Sequence, residues 1–246
     1  MRPRFDTPKS RKAKVELSFE IPFPEINTFK HLEDFPFLLA QHASKYPDLY
    51  GRDLIRGAIL DNGMYELDQP LPEQDLVDAV LHLFPRVVIA PDWMDEKTKT
   101  IEAALRLQDT FMRSKSWSGD VGAVVQGKDL NERVDCFQKF QKHGFRPICF
   151  PFRTPRNITI GALDMMHLLK GTEWYHLLGL QRLSELGWDW TGRWSVDTGK
   201  PFKGYYLNRA SDIRGHGRLD LNSALTLLNK ETALWNVAYM RKLATH

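Results

Sequence analysis

Cysteine is nearly absent from this chain: Cys136 and Cys149 are the only two in 246 residues. They build neither a disulfide framework nor a four-cysteine zinc site, and read as reduced thiols packed inside. None of the 8 histidines falls in an HExxH pattern, so no metal site and no metal catalysis are expected. A run of about 18 apolar residues is missing too, which argues against a membrane span. The stretch MRPRFDTPKSRKAK lacks the apolar core of a secretory signal. Cytoplasmic residence is therefore expected, in a host cytoplasm if the source is viral. Internal repeats are lacking, and low complexity is confined to that first stretch.

What remains is the composition of a globular protein, 42% hydrophobic and 26% charged. The length suits one large domain with a core that needs no staples. The expected division is a basic, flexible arm over 1–14 and a single domain over 15–246. The net charge is only +3, yet it is unevenly spread. Arg2, Arg4, Lys9, Arg11, Lys12 and Lys14 face the single acid Asp6 in the arm. A second basic stretch runs from Lys200 to Arg218 through Lys203, Arg209 and Arg214, with Tyr205 and Tyr206 among them. Cations interleaved with aromatics suit phosphate contacts and base stacking, while a solvated tail and a polar loop would look the same.

Val15, Leu17, Phe19 and Ile21 alternate with polar neighbours, the period of a strand. Short helices are expected around Phe29–Phe37 and Leu38–Tyr46. From Gly57 a rhythm begins. Strands are predicted at Gly57–Leu60, Val87–Ala90, Val121–Val125, Ile148–Phe150, Tyr175–Leu178 and Trp194–Val196. Between and after them come helices at Leu71–Phe84, Glu96–Met112, Asn131–His143, Gly161–Leu169, from Gln181, and at Asn222–Lys242. Short apolar strands alternating with amphipathic helices indicate parallel βα units, and so many without interruption favour a TIM-type (β/α)8 barrel over an open sheet.

Polar residues fall where such a barrel places its chemistry. Asp61, Asp92, Gln126 and Asp197 each end a predicted strand, and in a parallel barrel those ends converge on one mouth. Any one of them could be a helix cap. Crowded acids repel unless a ligand or reaction uses them, so the set reads as functional. Two carboxylates flanking a sugar anomeric carbon can divide the work, one attacking the carbon while the other moves a proton.

The motifs then resemble a family. Ile59-Leu60-Asp61-Asn62-Gly63-Met64-Tyr65 resembles the Asp-Ser-Gly-Gly-aromatic motif of the tRNA-guanine transglycosylases. Val124-Val125-Gln126-Gly127 is similar to their Val-Gln-Gly motif, and Ile89-Ala90-Pro91-Asp92 to the strand carrying their guanine-reading acid. His176-Leu177-Leu178-Gly179 resembles the strand that closes their base pocket, and Ser195-Val196-Asp197-Thr198 stands where they have the nucleophilic aspartate. The resemblance covers about residues 57 to 205 and implies a (β/α)8 barrel that exchanges bases without ATP, metal or cofactor.

Departures narrow the likeness. The family's Cys-x-Cys-x-x-Cys…His zinc site has no counterpart, since no cysteine follows Cys149. Phe150-Pro151-Phe152 replaces its Gly-Gly pocket, and Gly199-Lys200-Pro201-Phe202 its Pro-Thr-Arg. These changes look more like the DNA-modifying branch of phages and bacteria, which inserts 7-deazaguanines such as preQ0. On that resemblance the partners are DNA and the free 7-deazaguanine base. Asp197 is the nucleophile and Asp61 the general acid and base. Asp92 and Gln126 read the guanine edge beside Asn62 and Gly179, and Tyr65 and Leu178 sandwich the base. Lys200, Lys203, Arg209, Arg153 and Arg156 are candidates for holding the strand. Alternatives stay open: a tRNA enzyme, a non-catalytic nucleic-acid-binding barrel, or a hydrolase of small nucleosides.

Overall fold

The computed structural model describes residues 15–19, 21, 26–151, 169, 173–179, 192–197 and 230–244. Its strands are β1 (Val15–Leu17), β2 (Phe37–Leu39), β3 (Ile59–Asp61), β4 (Val87–Ile89), β5 (Asp120–Val124), β6 (Ile148–Pro151), β7 (Trp174–Leu178) and β8 (Arg193–Val196). They form one 8-stranded sheet in the order β1-β8-β7-β6-β5-β4-β3-β2, and every pairing is parallel. Parallel strands buried on both faces read as continuous apolar runs, as in β3, β4 and β6, whereas β1 keeps the alternation expected of it.

Two apolar layers result. One face of the strands carries Ile59, Val87, Ile89, Val124, Cys149 and Trp174, which pack together as an inner cluster. The opposite faces, including Leu60, Val88, Ala123, Ile148 and Tyr175, pack against helices α6 (Glu73–Leu83), α7 (Lys97–Ser114) and α8 (Leu130–His143). Those helices bury Leu76 and Val80, Leu107 and Phe111, and Phe137 and Phe140, the helical spacing that announces them in the sequence. Asp129 caps α8 by accepting from Glu132 N at 2.9 Å, and Glu132 accepts from Lys128 N at 2.9 Å. That reciprocal pair ends the turn after β5 abruptly.

The sheet is curled. β2 and β7 stand five places apart in it, about 24 Å if it were flat at the usual strand spacing. Yet the Phe37 ring on β2 stacks on the His176 ring on β7 with centroids 5.2 Å apart.

Two expectations need correction. Phe37–Leu39 is a strand, not part of a helix, and the helical pieces around it are α1 (Ile26–Phe29), a 3-10 turn at Lys30–Leu32, α2 (Ala40–Lys45), α3 (Pro47–Tyr50) and α4 (Arg52–Gly57). Three apolar residues running straight into a helix carry no period of their own. The sheet is also open rather than a closed (β/α)8 ring, because β1 and β2 share no ladder. Residues just before β2 span the seam instead. Asp34 N donates to Leu17 O at 2.9 Å, and Leu17 N donates to the Asp34 carboxylate at 2.9 Å. Glu33 accepts from Ser18 Oγ at 3.0 Å and from Phe19 N at 3.3 Å.

Burial at the seam pushes the Glu33 carboxyl up to about 8 from 4.5, against the lowering pull of Phe19 and Ser18. Below 4.5 both folded and unfolded chains hold this proton. Between 4.5 and about 8 only the folded chain does, so stability falls as pH rises across that window and levels off above it. Glu33→Gln keeps an acceptor and removes the titration. Its melting temperature, compared with wild type at pH values spanning the window, is expected to fall less steeply; an unchanged slope would assign the effect elsewhere.

Of the remaining elements, the final helix α9 is described over Lys230–Ala244, and its expected start at Asn222 lies outside the described residues. So do the expected helix from Gln181 and the helix at Gly161–Leu169, apart from the buried Leu169. Among the described residues no helix is long and apolar enough to cross a membrane.

Candidate active site

Side chains alternate along a strand, so residues two apart share a face. Asp61 follows Ile59, Gln126 follows Val124, and His176 and Leu178 follow Trp174 on the inner face. The inner cluster is thus floored by apolar groups and topped by polar ones at the strand ends. Cys149 marks the boundary. Its thiol is pushed far up by burial first, then by the charges of Asp61, Asp92 and Asp197. Three acids from three strands therefore bear on one point, and the thiol beneath them stays protonated and inert.

Asp61 ends β3, and its Oδ2 accepts from Gly63 N at 2.9 Å, while Asn62 Oδ1 accepts from Met64 N at 2.8 Å. These two short-range bonds turn the chain into the single-turn helix α5 (Met64–Leu67). Gly63 sits at φ 76°, a left-handed conformation that favours glycine, and a Cβ there would displace the end of the Gln41 side chain, 2.8 Å away. The Asp61 carboxyl is raised well above the carboxylate range by burial, then by the charge of Glu66, with smaller contributions from Asp92 and Asp197. It holds its proton longer than an ordinary aspartate.

Asp92 is buried and doubly anchored. Oδ1 accepts from Asn62 Nδ2 at 2.8 Å and Oδ2 from Gln126 Nε2 at 2.7 Å. Burial raises its proton affinity, and those two bonds pull it back. Asn62 also donates to Ala90 O at 2.7 Å, so both of its amide protons are engaged and it positions Asp92. Gln126 Oε1 accepts from Asp95 N at 3.2 Å, which leaves one Nε2 proton uncommitted to these contacts. Arg133, 4% exposed, donates from Nε to Gly127 O at 3.0 Å and lies 3.6 Å from Asp95, tying together the turns after β4 and β5.

Across the mouth, Asp197 immediately follows β8. Its Oδ1 accepts from Gly179 N at 2.9 Å and from His176 Nε2 at 3.0 Å. Gly179 at φ 78° turns the chain out of β7, a backbone conformation that side-chain-bearing residues resist. Tyr65 stands 44% exposed on α5, and Leu178 packs, partly buried, on the inner cluster.

The structure therefore brings Asp61, Asn62, Asp92, Gln126, Gly179 and Asp197 to one end of the sheet. Arg153, Arg156, Lys200, Lys203 and Arg209 lie outside the described residues, as does the basic arm. His176 and Ser195 stand inside the motifs read from the sequence without a role of their own there, and Trp174 and Arg133 lie outside those motifs. The signal for His176 was its place two residues before Leu178 on the same strand face. Among the described residues no group of three or more His, Cys, Asp or Glu is arranged to hold a metal ion. Sequence comparison matches the chain to no family model and to no curated protein.

Proposed function

We propose that this protein is a glycosyltransferase that exchanges a guanine base in DNA for a 7-deazaguanine such as preQ0, within a (β/α)8-type barrel opened between β1 and β2. One observation carries the reading. Asp61 and Asp197 share a mouth but not an environment: burial and neighbouring charge raise the proton affinity of Asp61, while two donors converge on Oδ1 of Asp197. Two carboxyl groups in such unlike surroundings can divide the work into acid and nucleophile.

In the first step Asp197 attacks C1′ of the target nucleotide as the C1′–N9 bond breaks, and Asp61 gives its proton to the departing guanine. The product is an aspartyl-nucleotide ester. In the second step the ionised Asp61 takes the proton from N9 of the incoming 7-deazaguanine. N9 then bonds to C1′, and Asp197 leaves as a carboxylate. Asp92 would accept from N1–H and the 2-amino group, since each of its oxygens keeps a second acceptor site, and the spare Gln126 proton suits O6. The nucleotide must stand outside a duplex to reach such a site.

The deciding assay is mass spectrometry of nucleosides from DNA and from tRNA after incubation with preQ0. Incorporation into DNA is expected. Incorporation into tRNA alone would transfer the reading to the tRNA enzymes, and incorporation into neither would end it.

Asp92→Asn supplies a narrower check. The amide replaces one acceptor oxygen by a donor, and leaving a buried donor unpaired costs about 1–3 kcal/mol. Affinity for free guanine and preQ0 is expected to fall roughly 10-fold or more, with DNA affinity unchanged, when both are titrated calorimetrically. Loss of DNA affinity alone would remove Asp92 from base reading.

A further inference from the structure

Asp197 is not held by a lone histidine. Behind it runs a line of buried polar groups on β7 and β8. Trp174 Nε1 lies 2.8 Å from Ser195 Oγ, Ser195 Oγ lies 2.9 Å from His176 Nδ1, and His176 Nε2 lies 3.0 Å from Asp197 Oδ1. His176 and Ser195 are register partners and are 0% exposed.

The polarity of this line is set at its far end. An indole N–H only donates, so Ser195 Oγ must accept from Trp174. Its single proton then has two possible acceptors, His176 Nδ1 at 2.9 Å and Tyr175 O at 3.4 Å, and the nearer one takes it. With Nδ1 accepting, the ring carries its proton on Nε2 and donates to Asp197. Trp174 is itself restrained, because the Arg193 guanidinium lies 4.3 Å over its ring and is paired to Glu16 at 2.8 Å.

We propose that Trp174, Ser195 and His176 form a one-way chain of hydrogen bonds that locks His176 as the Nε2–H tautomer, occupies Oδ1 of Asp197, and leaves Oδ2 as the atom that bonds to C1′. The part concerning C1′ rests on the transglycosylase reading; the hydrogen-bond chain does not. Both donors on Asp197 converge on Oδ1, and Oδ2 has no donor among the described residues. When Oδ2 forms the ester, Oδ1 becomes a carbonyl oxygen and loses charge, so both donors bind it less strongly. When the ester breaks, they stabilise the leaving carboxylate as its charge returns. His176 therefore favours the free carboxylate over the covalent intermediate.

This makes His176 a positioning residue with a distinctive signature. In His176→Phe the ring stays against Phe37 but the donor is gone. Turnover is expected to fall roughly 10- to 100-fold, the range for a hydrogen bond to a charged group. The fraction of enzyme trapped as covalent DNA adduct, read on a denaturing gel with excess preQ0, is expected to rise several-fold. His176→Gln, which keeps an N–H near Nε2, is expected to restore both. A residue that merely supports the fold would lower turnover and adduct together, and that result overturns the proposal. Should His176→Phe fail to fold, Ser195→Ala removes one atom and is expected to give the same signature in weaker form.

Imidazole nitrogen NMR of the unreacted wild-type protein needs no substrate. An Nε2–H ring is expected, shifting to a mixture in Ser195→Ala. An Nδ1–H or doubly protonated ring in the wild type overturns the chain. If the wild type forms no adduct with DNA or tRNA, the transglycosylase reading fails, and the tautomer then decides the hydrogen-bond chain by itself.

Discussion

Asp197→Ala is expected to abolish base exchange and any covalent adduct, a loss on the order of 10⁴- to 10⁶-fold as for other enzymes deprived of their nucleophile. Asp197→Asn is the more telling variant. An amide oxygen still accepts from Gly179 N and His176 Nε2, the two bonds that hold Oδ1 in the wild type. The fold and melting temperature should therefore be kept while exchange is lost, because a neutral amide attacks C1′ poorly. Asp197 also contributes to the raised proton affinity of Asp61, so removing its charge should bring Asp61 closer to an ordinary aspartate. Labelled-guanine exchange and a denaturing gel check the first two statements, and carboxyl NMR the third. Exchange near the wild-type rate in Asp197→Ala would remove Asp197 from the chemistry.

Asp61→Asn is expected to cost about 10²- to 10⁴-fold, the usual worth of a positioned general acid. The pH dependence makes this specific. On the proposed mechanism Asp61 is protonated in the first step, and its carboxyl is raised by burial and then by Glu66. With Asp197 ionised as the nucleophile, kcat/KM is expected to decline as pH climbs through the raised value of Asp61. Glu66→Gln deletes a raising charge without touching the carboxyl, so the declining limb should move to lower pH. In Asp61→Asn the limb should vanish. A limb that ignores Glu66→Gln belongs to some other group. Stability follows the same sign: unfolded Asp61 and Asp92 ionise earlier than folded ones, so both add to the decline in stability with rising pH.

Much of the architecture was legible because the strands β3 to β8 are largely buried on both faces and are short, mostly apolar runs, and β3, β4, β5 and β8 are each closed within three residues by a polar side chain. Asp61, Asp92, Gln126 and Asp197 were visible for that reason: strand ends are where an apolar run stops. β2 was not legible, since Phe37–Leu39 merges with the start of α2 and shows neither period. The seam was hidden for another reason. Glu33 and Asp34 look like ordinary loop acids, and only the folded backbone reveals that the Asp34 carboxylate accepts from Leu17 N on β1 and that of Glu33 from Phe19 N just beyond it. Trp174 and Ser195 were equally silent. A tryptophan and a serine 21 positions apart have no sequence relation until two strands set them side by side.

The seam also sets an order of assembly. Strands β2 to β6 pair only with their neighbours in the chain, whereas Arg193 meets Glu16 across 177 positions and Arg241 meets Asp34 across 207. Contacts of such span form late, because a long loop must close before they contribute anything. A nascent chain leaving the ribosome can thus build the arc that carries Asp61, Asp92 and Gln126 well before Asp197 has been synthesised. On the proposed function, the half of the mouth that would grip a purine is encoded on the contiguous arc, and the half that would cut the glycosidic bond depends on the strands that close over the long span.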